Sequence, residues 1–303
     1  MSSSVTVPTH RLRVLINTDA ANEADDQFAI VHALLTPTFD LRGIIPAHFG
    51  TGRTVHSLRE SRAEVEHLLE LMDMQQVVPL ADGAPHAIPD PSTPVDSAGA
   101  RLIMEEAARQ DGGTLYVAFL GPLTDMATAL LLDPSLARRD VVVVWIGGDP
   151  YGDKVAPYRP EFNLSNDIAA ANVVFESGIT VWQVPSSTYT QLGVGYAELR
   201  RRVRPCGKIG QYLCDQLIEF NTTSVPHAIE HRSLGDTPAV GLILNPLGAT
   251  WSEQARVRFT ADARYEPSAV PGTIRVCEQI DSRYLLEDFF AKLAEFSENS
   301  PPP

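Results

Sequence analysis

The chain has 303 residues, of which 44% are hydrophobic and 20% charged, a composition that supports a large apolar core. Its formal net charge of −14 argues against nucleic acid and anionic membranes as partners. No run approaches the length of a membrane-spanning helix, and the first residues lack the apolar stretch of a secretory signal. Cys206, Cys214 and Cys277 have no metal-type spacing and read as reduced thiols, so a cytoplasmic protein is expected.

Taken in chain order, "RVLIN" (13–17) predicts a buried strand and "DDQFAIVHALL" (25–35) a helix. A second strand is predicted over 41–47 and a long helix over 55–72. Residues 82–98, rich in Pro, Asp and Ser, read as a loop long enough to be a lid or binding element. Strands at 114–121 and 140–148 are continuous and β-branched, with helical spacing between them at 123–133. A helix at 167–177, with Asn166 as its expected N-cap and Gly178 closing it, precedes a strand at 179–185. The basic run at 200–204 reads as a solvated helix end. Helices follow around 208–220 and from Asp236, then strands near 255–260 and 273–276 and a last helix over 283–296. The expected class is α/β, an open and mainly parallel sheet with helices on both faces. One domain is expected over 1–303, with its core at about 12–296 and a disordered tail at 297–303.

In open parallel sheets, ligands bind beyond the carboxyl ends of the strands. Four places there carry oxygen chemistry. The first is "TDAANEADD", with Asp19, Glu23, Asp25 and Asp26 where the first strand hands over to a helix. An acid at a helix start is often a cap, but capping does not explain Asp19 in the preceding turn. Several carboxylates around one strand end resemble a site for a hard cation. A haloacid-dehalogenase type of phosphatase would need a second Asp two residues after its nucleophile, and neither Asn17 with Asp19 nor Asp19 with Ala21 supplies the pair. The second place is "GPLTD", whose chemical offer is the backbone carbonyl of Leu120. The third follows a double glycine, where "EFN" sets Glu161 and Asn163 on neighbouring positions suited to sugar hydroxyls. The fourth is "GDTPAV", with Asp236 opening an apolar helix, in isolation a routine cap.

In this order the four motifs resemble the inosine–uridine-preferring nucleoside hydrolase family, over roughly residues 12–245. The resemblance implies a Rossmann-like nucleoside hydrolase fold and Ca²⁺-dependent cleavage of a ribonucleoside or related riboside to free base and ribose. It implies a Ca²⁺ ion held by Asp19, Asp26, the Leu120 carbonyl and Asp236, with ribose held by Asp25, Glu161 and Asn163. Asp19 would be the general base that deprotonates water. A homodimer or homotetramer is expected on the same ground.

Three departures stand out. The family's compact Asp-Pro-Gly-x-Asp-Asp opening is two residues longer here, which leaves Glu23 within the turn. Gly235 stands where many relatives carry a histidine that protonates the departing base, and Asp153 stands where an Asn is expected. The candidates for a leaving-group acid are then His48, at a strand end, and His227 and His231, just upstream of Asp236. These changes keep open two other readings, a hydrolase of a different glycoside and a non-catalytic nucleoside- or sugar-binding protein that retains the metal site.

Overall fold

The computed structural model describes residues 11–110, 112–152, 160–224 and 227–299. The first apolar run forms β1 (Leu12–Thr18), followed by α1 (Asp26–Leu34), β2 (Phe39–Pro46) and α2 (Ser57–Leu71). Next come α3 (Ala98–Ala108), β3 (Leu115–Phe119), α4 (Thr124–Leu132) and β4 (Val141–Ile146). The short α5 (Phe162–Asn166) leads into α6 (Ile168–Glu176), β5 (Thr180–Val184) and α7 (Ser186–Tyr189). The last third opens with β6 (Gly193–Gly195), α8 (Tyr196–Glu198), α9 (Gly207–Ser224) and β7 (His231–Ser233). It closes with α10 (Thr237–Leu244), β8 (Ala249–Ala255), β9 (Val257–Phe259), β10 (Tyr265–Pro267), β11 (Thr273–Ile280) and α11 (Ser282–Asn299).

Seven strands make one sheet in the order β2-β1-β3-β4-β5-β11-β8. All neighbours pair parallel except β8, which runs antiparallel to β11 at the edge. Because successive side chains of a strand face opposite ways, helices on both sides require strands that are apolar at every position. Val14 and Ile16 of β1 pack into one core with residues of α1, α2, α9, α10 and α11. Leu15 packs into the other with residues of α3, α4 and α6. Trp145 of β4 anchors this second core, edge-on to Phe175 at 5.6 Å and to Phe259 at 6.4 Å. Truncating such a side chain to Ala costs about 3–5 kcal/mol.

The sheet order changes direction at β1, which has β2 on one side and β3 on the other. The chain therefore leaves β1 toward α1 on one face and leaves β3 toward α4 on the other. That divergence opens a crevice at the strands' carboxyl ends.

Several details differ from the expectations. Helix α3 was not foreseen; it is started by Ser97, whose side chain accepts from Ala100 N. The N-cap of α6 is Asp167, accepting from Ala170 N, while Asn166 is the last residue of α5. The predicted strand at 255–260 resolves into the end of β8 and the separate β9. Ser297, Glu298 and Asn299 continue α11, and the rest of the expected tail lies outside the described residues. In the basic run, Arg202 grips Glu287 of α11 through two bonds of 2.6 and 2.8 Å, and Arg204 grips Asp215 of α9. The three cysteines are free and buried. No helix among the described residues is long and apolar enough to cross a membrane.

Candidate active site

The crevice holds a cavity of about 380 Å³ lined by Asp19, Asp25, Asp26, Leu120, Glu161, Asn163 and Asp236, among others. Asp25 and Asp236 occupy the N-cap positions of α1 and α10, yet neither side chain caps its helix. Asp25 Oδ2 instead accepts from Gly235 N, 2.8 Å away and 210 residues on. The two helix starts thus converge on one cluster of acids, and their dipoles favour negative charge there. Carboxylate oxygens of Asp25, Asp26 and Asp236 come within 4.8 Å of one another. Asp26 also accepts from Thr18 Oγ1 at 2.5 Å.

Asp19, in the turn after β1, lies against Gly121, where a Cβ would meet its Oδ1 at 2.8 Å. The glycine of "GPLTD" is therefore needed to admit the aspartate. Asp19 Oδ2 is buried without a partner. Burial lifts the Asp19 and Asp236 carboxyls well above the ordinary carboxylate range, and the charge of Asp26 adds to it in both. Burial, then Glu23, raises Asp25 to about 7, and burial raises Asp26 to about 6 against its hydrogen bond from Thr18. An all-oxygen set of buried carboxylates that face one another, one with an orphaned oxygen, fits a hard divalent cation.

Glu161 is a true cap. Its carboxylate accepts from Gly148 N at 2.8 Å, Leu164 N at 2.9 Å, Asn163 N at 3.3 Å and Tyr189 OH at 3.1 Å. Asn163 uses both amide hydrogens on strand-end carbonyls, those of Leu120 at 2.7 Å and Ile146 at 2.9 Å. It offers a ligand only its Oδ1, rather than the donor and acceptor expected from its residue type. The Leu120 carbonyl keeps one free lone pair.

The three histidines are not brought to this cavity. His48 is buried just past the end of β2, with Nδ1 accepting from Gly50 N and Nε2 donating to Thr124 Oγ1 at 2.9 Å. Burial, then His86, lowers its pKa to about 4, so it is a neutral structural link. His227 and His231 are exposed, and none of the three lines the cavity. Loop 82–98 is no lid over it. Ala84 N and Ser97 Oγ bond Asp125, Ile88 N bonds Asp167, and none of the loop lines the cavity. Asp153 lies outside the described residues.

Sequence reasoning missed Arg53, Tyr189, Phe220 and Arg232, all of which line the cavity. They come from separate elements with no shared motif. The one available signal was Glu23, left without a role in the lengthened turn and here ion-paired to Arg232.

The model of the inosine-uridine preferring nucleoside hydrolase family matches residues 14–287. The chain is 28% identical over 283 residues to a probable uridine nucleosidase 2 of Arabidopsis thaliana, covering 84% of this chain and 84% of the relative. It is 28% identical over 233 residues to a probable uridine nucleosidase 2 of Oryza sativa subsp. japonica, covering 69% of this chain and 66% of the relative, just under two thirds of its length. A purine-preferring ribonucleoside hydrolase from Gardnerella vaginalis shares the fold, with a TM-score of 0.79, 20% identity, and coverage of 95% of this chain and 100% of that one. On the span of the family match, the chain belongs to the inosine-uridine preferring nucleoside hydrolase family, a family of N-glycosyl hydrolases.

Proposed function

We propose that the protein hydrolyses the N-glycosidic bond of a ribonucleoside, or of a related riboside, with a Ca²⁺ ion held by its buried acids. The observation that carries this reading is the convergence of Asp25, Asp26 and Asp236 beside Asp19, at two helix starts whose caps they decline to form. Asp19, Asp26, Asp236 and the free lone pair of Leu120 would hold the ion, with Asp25 at its edge. When bound, Ca²⁺ supplies Lewis acidity toward water and a vicinal diol.

The chain's own residues do the rest. Asp19, with its orphaned oxygen and raised pKa, takes a proton from the attacking water. Asp25, Glu161 and Asn163 Oδ1 orient the ribose. Glu161, fixed by four donors, presents a set charge rather than a mobile one. Cleavage develops positive charge on the sugar ring, and the surrounding carboxylates stabilise it where it forms. Buried reduced cysteines suit a cytoplasmic enzyme, and a homodimer or homotetramer is the assembly we propose by family likeness.

Since two relatives are named uridine nucleosidases, uridine is the first substrate to test, within a panel of nucleosides supplied with Ca²⁺. Free base and reducing sugar are measured. Activity is expected to vanish with chelator and to fall by about 10³-fold or more in Asp19→Ala. If ribosides raise the melting temperature yet no base is released, the protein is a binder and the hydrolase reading fails.

A further inference from the structure

Part of the cavity carries a different chemistry from its acids. Phe220 and Ser224 of α9, Arg232 of β7 and Arg53 line it there. Arg232 lies over the Phe220 ring at 4.6 Å, and Arg53 over the same ring at 5.9 Å. Arg232 Nη1 donates to Asn221 Oδ1 at 3.1 Å, and Nη2 donates to Glu23 Oε2. Its Nε is buried without a partner. The guanidinium is thus fixed by two acceptors and an aromatic face, and its Nε–H is among the donors left without an acceptor.

Two peculiarities of this chain meet here. Glu23 lies in the lengthened turn and anchors Arg232 from 209 residues away. Gly235 leaves its neighbouring space to Tyr189, whose ring carbon would sit 3.1 Å from a Cβ at that position. The Tyr189 hydroxyl donates to Glu161, and no histidine among the described residues lines the cavity. A departing base therefore finds an anchored cation there rather than an imidazole.

We propose that Arg232, held by Glu23 and laid over Phe220, is the leaving-group residue of this enzyme, stabilising the departing base as an anion through a guanidinium hydrogen bond. This rests on the hydrolase reading above. In the step, the C1′–N bond breaks and its electron pair moves onto the base, where a pyrimidine delocalises it to an exocyclic oxygen. Water adds its hydroxide to C1′ and gives its proton to Asp19. On release, the base anion takes a proton from solvent and Asp19 returns its own, so riboside and water yield ribose and neutral base. A guanidinium suits the task because its charge and fork are permanent at any working pH. Glu23 is a positioning residue, acting through Arg232.

The test compares uridine with 4-nitrophenyl β-D-ribofuranoside, whose phenolate leaves as a stable anion without help. Arg232→Gln is expected to lower kcat/KM on uridine by about 100-fold, the loss typical of one donor to a developing anion, and on the aryl riboside by less than about 5-fold. Retained aryl riboside activity shows that the variant is folded. Glu23→Gln, which removes the anchor and keeps the guanidinium, is expected to show the same split at about 5-fold on uridine, and it serves if Arg232→Gln does not fold. Equal losses on both substrates overturn the leaving-group assignment while leaving the hydrolase reading intact. If the wild-type protein cleaves neither the aryl riboside nor any nucleoside of the panel with Ca²⁺ present, the hydrolase reading fails and takes this assignment with it.

Discussion

Two buried groups of carboxylates stand at the carboxyl ends of the central strands, and they obey opposite rules. Asp125 and Asp167 form one. Asp125 accepts from Ser97 Oγ at 2.6 Å, Asn17 Nδ2 at 2.8 Å and Ala84 N at 2.9 Å. Asp167 accepts from Thr124 Oγ1 at 2.7 Å and from Ile88 N and Ala170 N at 2.9 Å. Asp19, Asp25, Asp26 and Asp236 form the other, where acids face acids and Asp19 Oδ2 has no partner. Burial raises the pKa in both groups, so burial alone does not distinguish a site from a clamp. The distinction lies in what each acid faces: Asp125 and Asp167 meet three donors each and tie loop 82–98 to the sheet, while the other four face one another, with Asp19 Oδ2 unpartnered.

Substitutions can break this contrast. Asp236→Asn is expected to lower kcat/KM by about 10³-fold or more while leaving the chelated protein as stable as wild type or more so, since one repelling charge is gone. Base release and thermal melting check the two halves; a stable variant with full activity would place Asp236 with the clamps. Asp125→Ala is expected to do the reverse. It strands the donors of Asn17, Ser97 and Ala84 and destabilises the fold by on the order of 3 kcal/mol in urea unfolding, with kcat of the folded fraction little changed.

Acidity gives a third break. Asp25 is lifted to about 7 and Asp26 to about 6, both above an unfolded-chain value of about 4. Acids that hold their protons more tightly when folded contribute stability that is complete below pH about 4 and lost as pH rises through about 6 to 7. The chelated protein is therefore expected to melt a few degrees lower at pH 8 than at pH 5, and Ca²⁺ at pH 8 to restore the difference. A melting temperature indifferent to both would place these acids with the satisfied ones. The smallest effect is expected at His48. His48→Gln keeps a donor toward Thr124 and should change kcat/KM by less than about 3-fold.

Much of the fold is legible in the sequence because both faces of the sheet are covered, which writes the central strands as continuous apolar runs. The acids of the first loop and Asp236 are legible because each stands at a strand end or helix start, where few patterns compete. Other parts carry no local signature. Helix α3 follows a Pro-rich stretch that hides its start, and α5 has 5 residues, too short for any periodicity. Asp125 sits inside an apolar helical run, and a buried charge there was its only mark. Arg232 and Phe220 could not be paired with Glu23 by inspection, since residues some 200 positions apart meet only through the tertiary fold.

That separation bears on time as well as place. The bond from Gly235 N to Asp25 Oδ2 joins the first loop of the chain to the start of α10. The acids converge only after the last third has docked on the sheet, a contact of high sequence separation. A cation held across this seam would have its site only once that docking is complete. Its binding would then act as a latch on the native state, slowing unfolding and leaving the folding rate nearly untouched.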